Sequence, residues 1–242
     1  MAICHNKNEH TGEVGHFYER DGVLYPSVTT ILSAESPPES RVVIERWKKR
    51  TKNWKTVQKN SQVVGTVSHF RVLNGLSDMT LELPDIPMSE YPRDLGKFVD
   101  IVEYLWNASG MPERLGYPRY IESTLISDRY MFAGKPDLRC PIKNDDGEFE
   151  LAIVDLKTSP QVYDSHIYQL AAYGIMMEES PEHQQFPEAG YVVNLCPYKA
   201  KNPHYIPQVS RFESSALRDY SIRFIQMAEN YHERVTSRAQ EH

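Results

Sequence analysis

Residues 133–159, AGKPDLRCPIKNDDGEFELAIVDLKTS, decide the fold. Two extended apolar runs flank residues 144–147, whose Asn-Asp-Asp-Gly sequence is typical of a turn. This pattern predicts a β-hairpin. Each strand nevertheless carries an aspartate where a buried strand would hold an apolar residue, and a lysine follows the second aspartate by two positions. These residues are Asp137, Asp155 and Lys157.

The spacing of the turn predicts which residues face each other. If the turn centres on Asp146, Asp137 lies opposite Asp155, and a shift of one residue would put them on different faces. Directly opposed side chains have Cβ atoms about 4.5–5.5 Å apart. Two carboxylates that close repel each other unless a cation lies between them or one is protonated. A divalent cation resolves the conflict, and oxygen ligands favour Mg²⁺ or Mn²⁺.

Lys157 shares a strand face with Asp155, because side chains two residues apart on a strand point the same way. An ammonium group beside a metal-bound water and two acids is suited to phosphate chemistry. The alternative is a structural Asp–Lys ion pair on a solvated face of the sheet. The run LAIVDL is apolar on both sides of Asp155, which favours a strand buried on both faces.

Length and composition are typical of one globular domain. The chain has 242 residues, of which 40% are hydrophobic and 25% are charged. We expect a helical N-terminal part with a short hairpin in residues 1–110 and a core in residues 111–242. No apolar run reaches membrane-spanning length, and Cys4, Cys140 and Cys196 form no CxxC pair. We therefore expect no membrane contact and a reducing, cytoplasmic location.

Changes in hydrophobic period predict the order of elements. The pattern predicts a hairpin at 15–20 and 23–25, a short helix within 27–36, helices near 40–52, 57–73 and 90–109, strands at 117–127, 129–140 and 148–158, a helix at 162–179, strands at 189–197 and 204–212, and a helix at 213–235. The fold class is therefore α/β (α+β), with a central mixed β-sheet flanked by helices and a βββαββα core.

Positive charge is concentrated in residues 46–59, RWKKRTKNWKTVQK. The segment has seven basic residues and no acid, although the net charge of the chain is −6. Trp47 and Trp54 are interleaved with these charges. Such a segment suits a phosphate backbone with stacked bases, and the alternative is a solvated helix face with two buried tryptophans.

Together these residues resemble the PD-(D/E)xK nuclease superfamily, in its RecB-like exonuclease branch. Pro136-Asp137 and Asp155-Leu156-Lys157 match the signature of the superfamily. Residues 65–69 match G-x-x-x-H, residues 169–173 match Q-x-x-x-Y, and Glu122 stands where the family has an acid. Residues 25–32, YPSVTTIL, are similar to an element of phage-type and mitochondrial genome-maintenance exonucleases. The resemblance covers about residues 25–197 and implies a restriction-endonuclease-like core and a phage-encoded origin.

The resemblance implies a role for each motif residue. His69, Asp137, Asp155 and the Leu156 carbonyl would bind the metal. Lys157 would position the attacking water. Glu122 would hold a second metal through water, or would be a plain acid at the edge of a strand.

A second set of residues would contact DNA. Gln169 would bind the scissile phosphate or orient the metal site. Tyr173 would contact DNA, with a core position as the alternative. The basic segment would form a wall beside the site, with contacts from Trp47, Lys48, Lys49, Arg50, Trp54 and Lys55.

The expected function is that of a metal-dependent DNA exonuclease that acts on single-stranded or end-processed DNA in replication, recombination or repair. Its cofactor would be Mg²⁺ or Mn²⁺. Three scattered cysteines cannot supply the four ligands of an iron–sulfur cluster, so we expect none. DNA is the expected partner, together with recombination or replication proteins. The alternatives are a structure-specific endonuclease and a nucleic-acid-binding subunit without catalysis.

Overall fold

The N-terminal part begins with a small antiparallel sheet. The structure, a computed structural model, describes residues 3–7, 14–35, 38–77, 81–83, 85–202 and 204–240. Strands β1 (Ile3–Lys7), β2 (Val14–Arg20) and β3 (Val23–Pro26) pair in that order. Asp21 and Gly22 both have positive φ, as the tight turn between β2 and β3 requires. The predicted hairpin is confirmed, and β1 extends it by a strand that the sequence pattern did not reveal.

Helices follow this sheet. Helix α1 (Val28–Ala34) begins at Ser27, whose hydroxyl accepts a hydrogen bond from the Thr30 amide. Next come α2 (Pro38–Arg50), α3 (Trp54–Asn74) and α4 (Leu95–Ala108), with short 3-10 turns at Met88–Glu90 and Pro112–Arg114. Helix α4 buries Leu95, Val99, Val102 and Leu105 along one face, and Phe98 packs beside them.

The second half of the chain forms the central sheet. In chain order its elements are β4 (Tyr120–Ile121), β5 (Leu125–Ser127), β6 (Phe132–Gly134), β7 (Leu138–Lys143), β8 (Phe149–Lys157), α5 (Asp164–Glu179), β9 (Ala189–Asn194), β10 (Gln208–Glu213) and α6 (Ser214–Gln240). The five-stranded sheet has the order β10-β9-β8-β7-β4, in which only β8 and β9 are parallel. Helix α5 connects those two strands, and β5 pairs with β6 in a separate two-stranded sheet.

Both faces of the central sheet are covered by helices. Ile153 and Val192 pack in one apolar cluster with side chains of α5 and α6. Val154 and Val193, on the opposite face, pack in a second cluster with α3 and α4. The expected fold class, a mixed sheet flanked by helices with a helical N-terminal part, is confirmed.

The predicted register of the hairpin is confirmed, whereas two predicted strands are each broken. Leu138 pairs with Val154, so the next step along the same register sets Asp137 against Asp155. The expected strand 117–127 divides into β4 and β5, and Glu122, at the break, has φ 49°. The expected strand 129–140 divides into β6 and β7 around Pro136, which has no amide hydrogen to donate to a sheet.

None of the described helices is both long enough and apolar enough to cross a membrane.

Candidate active site

The end of β8 buries a carboxylate against a lysine. Asp155 is only 2% exposed, although it carries a charge-bearing group. The Lys157 Nζ atom lies 2.8 Å from Oδ1 and 2.7 Å from Oδ2 of Asp155. Only the contact with Oδ1 is aligned as a hydrogen bond, so among the described residues Oδ2 meets the ammonium as an ion pair and accepts no aligned hydrogen bond. A buried acceptor in that state favours a further partner at this position.

Asp137 lies beside this pair and connects it to α3. Its Oδ2 accepts a hydrogen bond of 2.6 Å from the Leu156 amide, and its Oδ1 lies 3.5 Å from Nδ1 of His69. The contact that Leu156 makes here is through its N–H, and a metal contact through its carbonyl stays a prediction. The structure therefore holds His69 from α3 and Asp137 from the start of β7 together at the end of β8.

The pKa values of the two carboxyl groups of the site are shifted in opposite directions. Burial raises the pKa of Asp155 to about 6, even though the Lys157 ammonium opposes that rise. Burial acts the same way on Asp137, but the charge of His69 and its hydrogen bond outweigh it and lower the pKa of Asp137. Burial alone would lower the pKa of His69, and the charge of Asp137 reverses this and raises it. Divergent pKa values in one buried cluster are typical of functional sites.

The donor atoms suit a hard divalent cation, but they are not gathered around one point. Two carboxylates and an imidazole are ligands that Mn²⁺ accepts readily, and Oδ2 of Asp155 has no hydrogen bond to lose. Asp155 faces Lys157, and His69 faces Asp137. Among the residues that the structure describes, no three or more His, Cys, Asp and Glu side chains are arranged to hold a metal ion. The three-ligand metal site stays a prediction.

Gln169 links Lys157 to the core through α5. Lys157 Nζ donates a 3.0 Å hydrogen bond to Oε1 of Gln169, whose Nε2 donates a 2.7 Å bond to the Tyr173 hydroxyl. The expected DNA contact of Tyr173 is not compatible with its position, because the residue is only 4% exposed and packs in the core. The core alternative is the one that the structure supports.

Two glycines allow the close packing around these side chains, and the sequence analysis did not assign one of them. A Cβ atom at position 134 would lie 2.6 Å from Cε1 of Tyr173, so only a glycine at this position leaves room for the Tyr173 ring. A Cβ atom at position 65 would lie 3.3 Å from Oγ1 of Thr158, so Gly65 brings α3 against the end of β8. A glycine within a strand is a sequence signal of close approach that could have identified Gly134.

The backbone of Glu122 contacts the candidate site, whereas its side chain forms an ion pair outside it. Its amide donates a 3.1 Å hydrogen bond to the Asp137 carbonyl. Its carboxylate lies 3.1 Å from Nζ of Lys135. Glu122 follows β4 and does not belong to a strand, which corrects the expected placement. Its role with a second metal stays a prediction.

The basic segment 46–59 forms a corner between two helices, which we call the basic corner. It comprises the last residues of α2, a three-residue turn and the start of α3, the helix that also carries His69. Trp47 is 38% exposed. Trp54 is half-buried, and Nζ of Lys48 and of Lys55 lie 4.9 and 5.8 Å from the centre of its ring. The Trp54 ring therefore holds lysines, which leaves Trp47 as the more accessible ring.

The basic residues of the corner are mostly exposed. Lys49, Arg50 and Lys55 are exposed, whereas Lys48 is half-buried and lies 2.7 Å from Glu45. An ion pair at the surface contributes little to stability, so Lys48 can exchange Glu45 for a phosphate.

Cys140 and Cys196 are buried on the sheet, and burial raises the pKa of the Cys140 thiol to about 12. Both thiols are small core side chains here. The side chain of Cys4 lies outside the described part of the structure, and the absence of an iron–sulfur cluster stays a prediction.

Comparison with protein-family models gives no match, and comparison with curated protein sequences gives none either. A solved structure described as "Crystal structure of SSO0001" is similar to this chain at 16% identity, with a TM-score of 0.33. The alignment covers 69% of this chain and 71% of that one. At this TM-score the similarity carries no argument about fold or function.

Proposed function

We propose that the protein is a metal-dependent deoxyribonuclease of the PD-(D/E)xK type, in the RecB-like branch, and that it hydrolyses phosphodiester bonds from strand ends. The observation that carries the proposal is the buried contact of Lys157 with both Asp155 and Gln169, beside the Asp137–His69 pair. A lysine and two acids held together in a protein interior cost free energy to desolvate, and clusters of this kind are frequent at functional sites.

The residues of the site divide the work of hydrolysis. His69, Asp137 and Asp155 would hold Mg²⁺ or Mn²⁺, and the cation would lower the pKa of a water and offset negative charge on the phosphate. The Lys157 ammonium would orient the attacking water and stabilise the charge that develops on the phosphoryl oxygens. The water oxygen forms a bond to phosphorus, the bond to the leaving oxygen breaks, and that oxygen takes up a proton. Gln169 would hold the ammonium in place.

An exonuclease with DNA as its partner is the form of this activity that we favour. The basic corner offers phosphate contacts and the exposed Trp47 ring for a single strand. Work on strand ends fits replication, recombination or repair, in a reducing, cytoplasmic compartment and beside proteins of those processes.

The test is digestion of end-labelled linear and of circular single-stranded DNA with Mg²⁺, with Mn²⁺ and with EDTA. We expect linear DNA to be degraded with either metal, circular DNA to persist, and EDTA to stop the reaction. Cutting of circular DNA would indicate a structure-specific endonuclease on the same fold. Binding without cleavage in any metal would indicate a nucleic-acid-binding subunit and would refute the proposed activity.

Lys157→Ala tests the residue that carries the proposal. We expect cleavage to fall below detection while DNA affinity stays within about twofold, because a group that acts in the transition state affects turnover more than ground-state binding. The exposed Lys143 serves as the matched control, and Lys143→Ala should cleave normally. Normal cleavage by Lys157→Ala would show that Lys157 serves only as an ion-pair partner of Asp155.

A further inference from the structure

A groove lies along the outer side of α4. It has a volume of about 570 Å³ and is lined by Gly96, Lys97, Asp100, Ile101, Tyr104 and Ala200. Four of these residues follow the spacing i, i+3, i+4 and i+7, so they share one face of the helix. That face is opposite the buried stripe of α4, and Tyr104 is 69% exposed on it. Ala200, in the short turn Lys199–Lys201, forms the facing wall.

The facing wall is tied to the candidate active site. The Lys157 carbonyl accepts a 2.6 Å hydrogen bond from the Leu195 amide, where the segment that leads to the turn begins. Three residues later the Tyr198 ring lies 4.9 Å from the ring of Phe98 on α4. The groove is therefore beside the edge of the sheet at which β8 and β9 end.

The start of α4 is linked to the basic corner. Lys59, at the edge of that corner, lies 2.8 Å from Glu90, just before α4 begins. Helices α3 and α4 pack together through Val63, Val64, Leu95 and Val99, on the face of α4 opposite the groove. Gly96, at the same end of α4, has no atom within 4 Å of the position that a Cβ would occupy, so the groove is open there.

The chemistry of the groove suits a single nucleic-acid strand. Ile101 and the exposed Tyr104 ring provide an apolar and aromatic surface on which bases can stack. In the lining, Lys97 is balanced by Asp100, and the exposed Lys199 and Lys201 on either side of Ala200 provide further cations for phosphates. A protein partner would need a much larger contact surface than these six lining residues provide.

We propose that this groove binds single-stranded DNA beside the active site, with Tyr104 as a stacking surface and Lys97, Lys199 and Lys201 as phosphate contacts. The inference rests on the proposed nuclease function, because it names a surface that holds the substrate of that site. It follows that a long strand contacts the active site and the groove together, whereas a strand of a few nucleotides reaches only one of them.

The experiment measures binding of fluorescent oligonucleotides of 6 and 30 nucleotides in EDTA, for the parent protein, Tyr104→Ala and the double variant Lys199→Ala/Lys201→Ala. Tyr104→Ala should weaken binding of the 30-nucleotide strand by about 5- to 150-fold, as expected for one lost stacking ring. The lysine variant should lower the slope of log affinity against log salt by about 0.7 per contact. Tyr117→Ala is the matched control, because Tyr117 is 67% exposed and lies far from the candidate site. Its neighbour Gly116 packs on Phe149, at the opposite end of β8 from Lys157.

Three outcomes decide the proposal. A loss confined to the long strand in both groove variants, with Tyr117→Ala unchanged, supports it. Unchanged long-strand binding in the groove variants of a parent that cleaves DNA overturns the groove and leaves the nuclease standing. A parent that neither binds nor cleaves DNA overturns the proposed function, and the groove with it.

Discussion

At the scale of single residues, Lys157 is fixed by two partners of different chemistry. The carboxylate of Asp155 neutralises the charge of the Lys157 ammonium, and the amide oxygen of Gln169 fixes its orientation through a hydrogen bond. The Tyr173 hydroxyl accepts from the amide nitrogen of Gln169, so the amide oxygen is left to face the lysine. The motif Q-x-x-x-Y thus acts, in this structure, as a support for the lysine.

Removal of that support should reduce turnover more than binding. Gln169→Ala leaves Lys157 held by Asp155 alone, and we expect kcat to fall about 10- to 100-fold with KM nearly unchanged, because small errors in position have that effect. Tyr173→Phe removes only the hydroxyl, so kcat should fall less and the free energy of unfolding by about 1 kcal/mol. Steady-state kinetics and thermal unfolding measure both. Tyr168→Phe, on the same helix, is the control, and normal kcat in Gln169→Ala would contradict the assignment.

At the scale of secondary structure elements, the site depends on how closely α3 approaches β8. The contact between Gly65 and Thr158 sets that distance, and His69 lies one helical turn further along α3. The sequence identified the glycine and the histidine by their spacing. It could not identify Thr158 as the partner, because the contact joins residues far apart in the chain.

Gly65→Ala tests this approach. The added methyl group would contact Thr158 at 3.3 Å and requires a shift of a few tenths of an ångström. Alanine also favours the helix by about 1 kcal/mol, so we expect the free energy of unfolding to change by no more than about 1 kcal/mol while kcat/KM falls about tenfold. The double variant Gly65→Ala/Thr158→Ala should restore kcat/KM, because the opposing hydroxyl is gone. Lack of rescue would mean that the glycine serves another purpose.

The opposite end of β8 has a buried ion pair that stabilises the sheet. The Glu150 carboxylate accepts hydrogen bonds of 2.5 Å from the Tyr191 hydroxyl and of 2.8 and 2.5 Å from Arg211. These contacts with Arg211 lower the pKa of Glu150 below its ordinary value of 4.5, although burial opposes the shift. A lowered pKa in the folded state means that the ionised group stabilises the fold above about pH 4.5 and that this contribution is lost as the pH falls through the folded-state pKa.

Glu150→Gln should therefore be less stable than the parent at pH 7 and not at low pH. We expect a loss of about 1–3 kcal/mol at pH 7, reduced by the partial exposure of Arg211, and a difference that narrows as the pH falls below about 4.5. Urea unfolding from pH 3 to pH 7 measures it, with the exposed Glu148→Gln as control. A difference that stays constant over this range would show that the charge of Glu150 does not contribute.

At the scale of the whole molecule, the sequence predicted features that depend on local patterns, but it did not predict contacts between residues far apart in the chain. The hairpin register followed from a turn sequence, and the order of helices and strands followed from changes in the hydrophobic period. The breaks at Glu122 and Pro136 were missed, because apolar residues lie on both sides of each break and only the pairing partners reveal where each strand ends. The burial of Tyr173 was likewise undecided in the sequence, since an aromatic residue on a helix suits either the core or a ligand.

The distribution of charge over the molecule is uneven. The chain has a net charge of −6, and its acids include the buried pair of the candidate site. The basic corner has seven cations within fourteen residues, and it adjoins α4 through the Lys59–Glu90 contact. An anionic strand would therefore be attracted to this corner and repelled by much of the remaining surface.

The basic corner should accordingly determine the salt dependence of DNA binding. The triple variant Lys48→Ala/Lys49→Ala/Arg50→Ala should lower the slope of log affinity against log salt by about 2, at about 0.7 per lost phosphate contact. Trp47→Ala should weaken binding by about 1–3 kcal/mol whatever the base, since its ring is the accessible one. Oligonucleotide titrations at several salt concentrations measure both. The control removes three exposed cations elsewhere, Arg129, Lys143 and Arg223, and should change the slope little. If both triple variants lower the slope equally, binding follows net charge alone and the corner is a solvated helix surface.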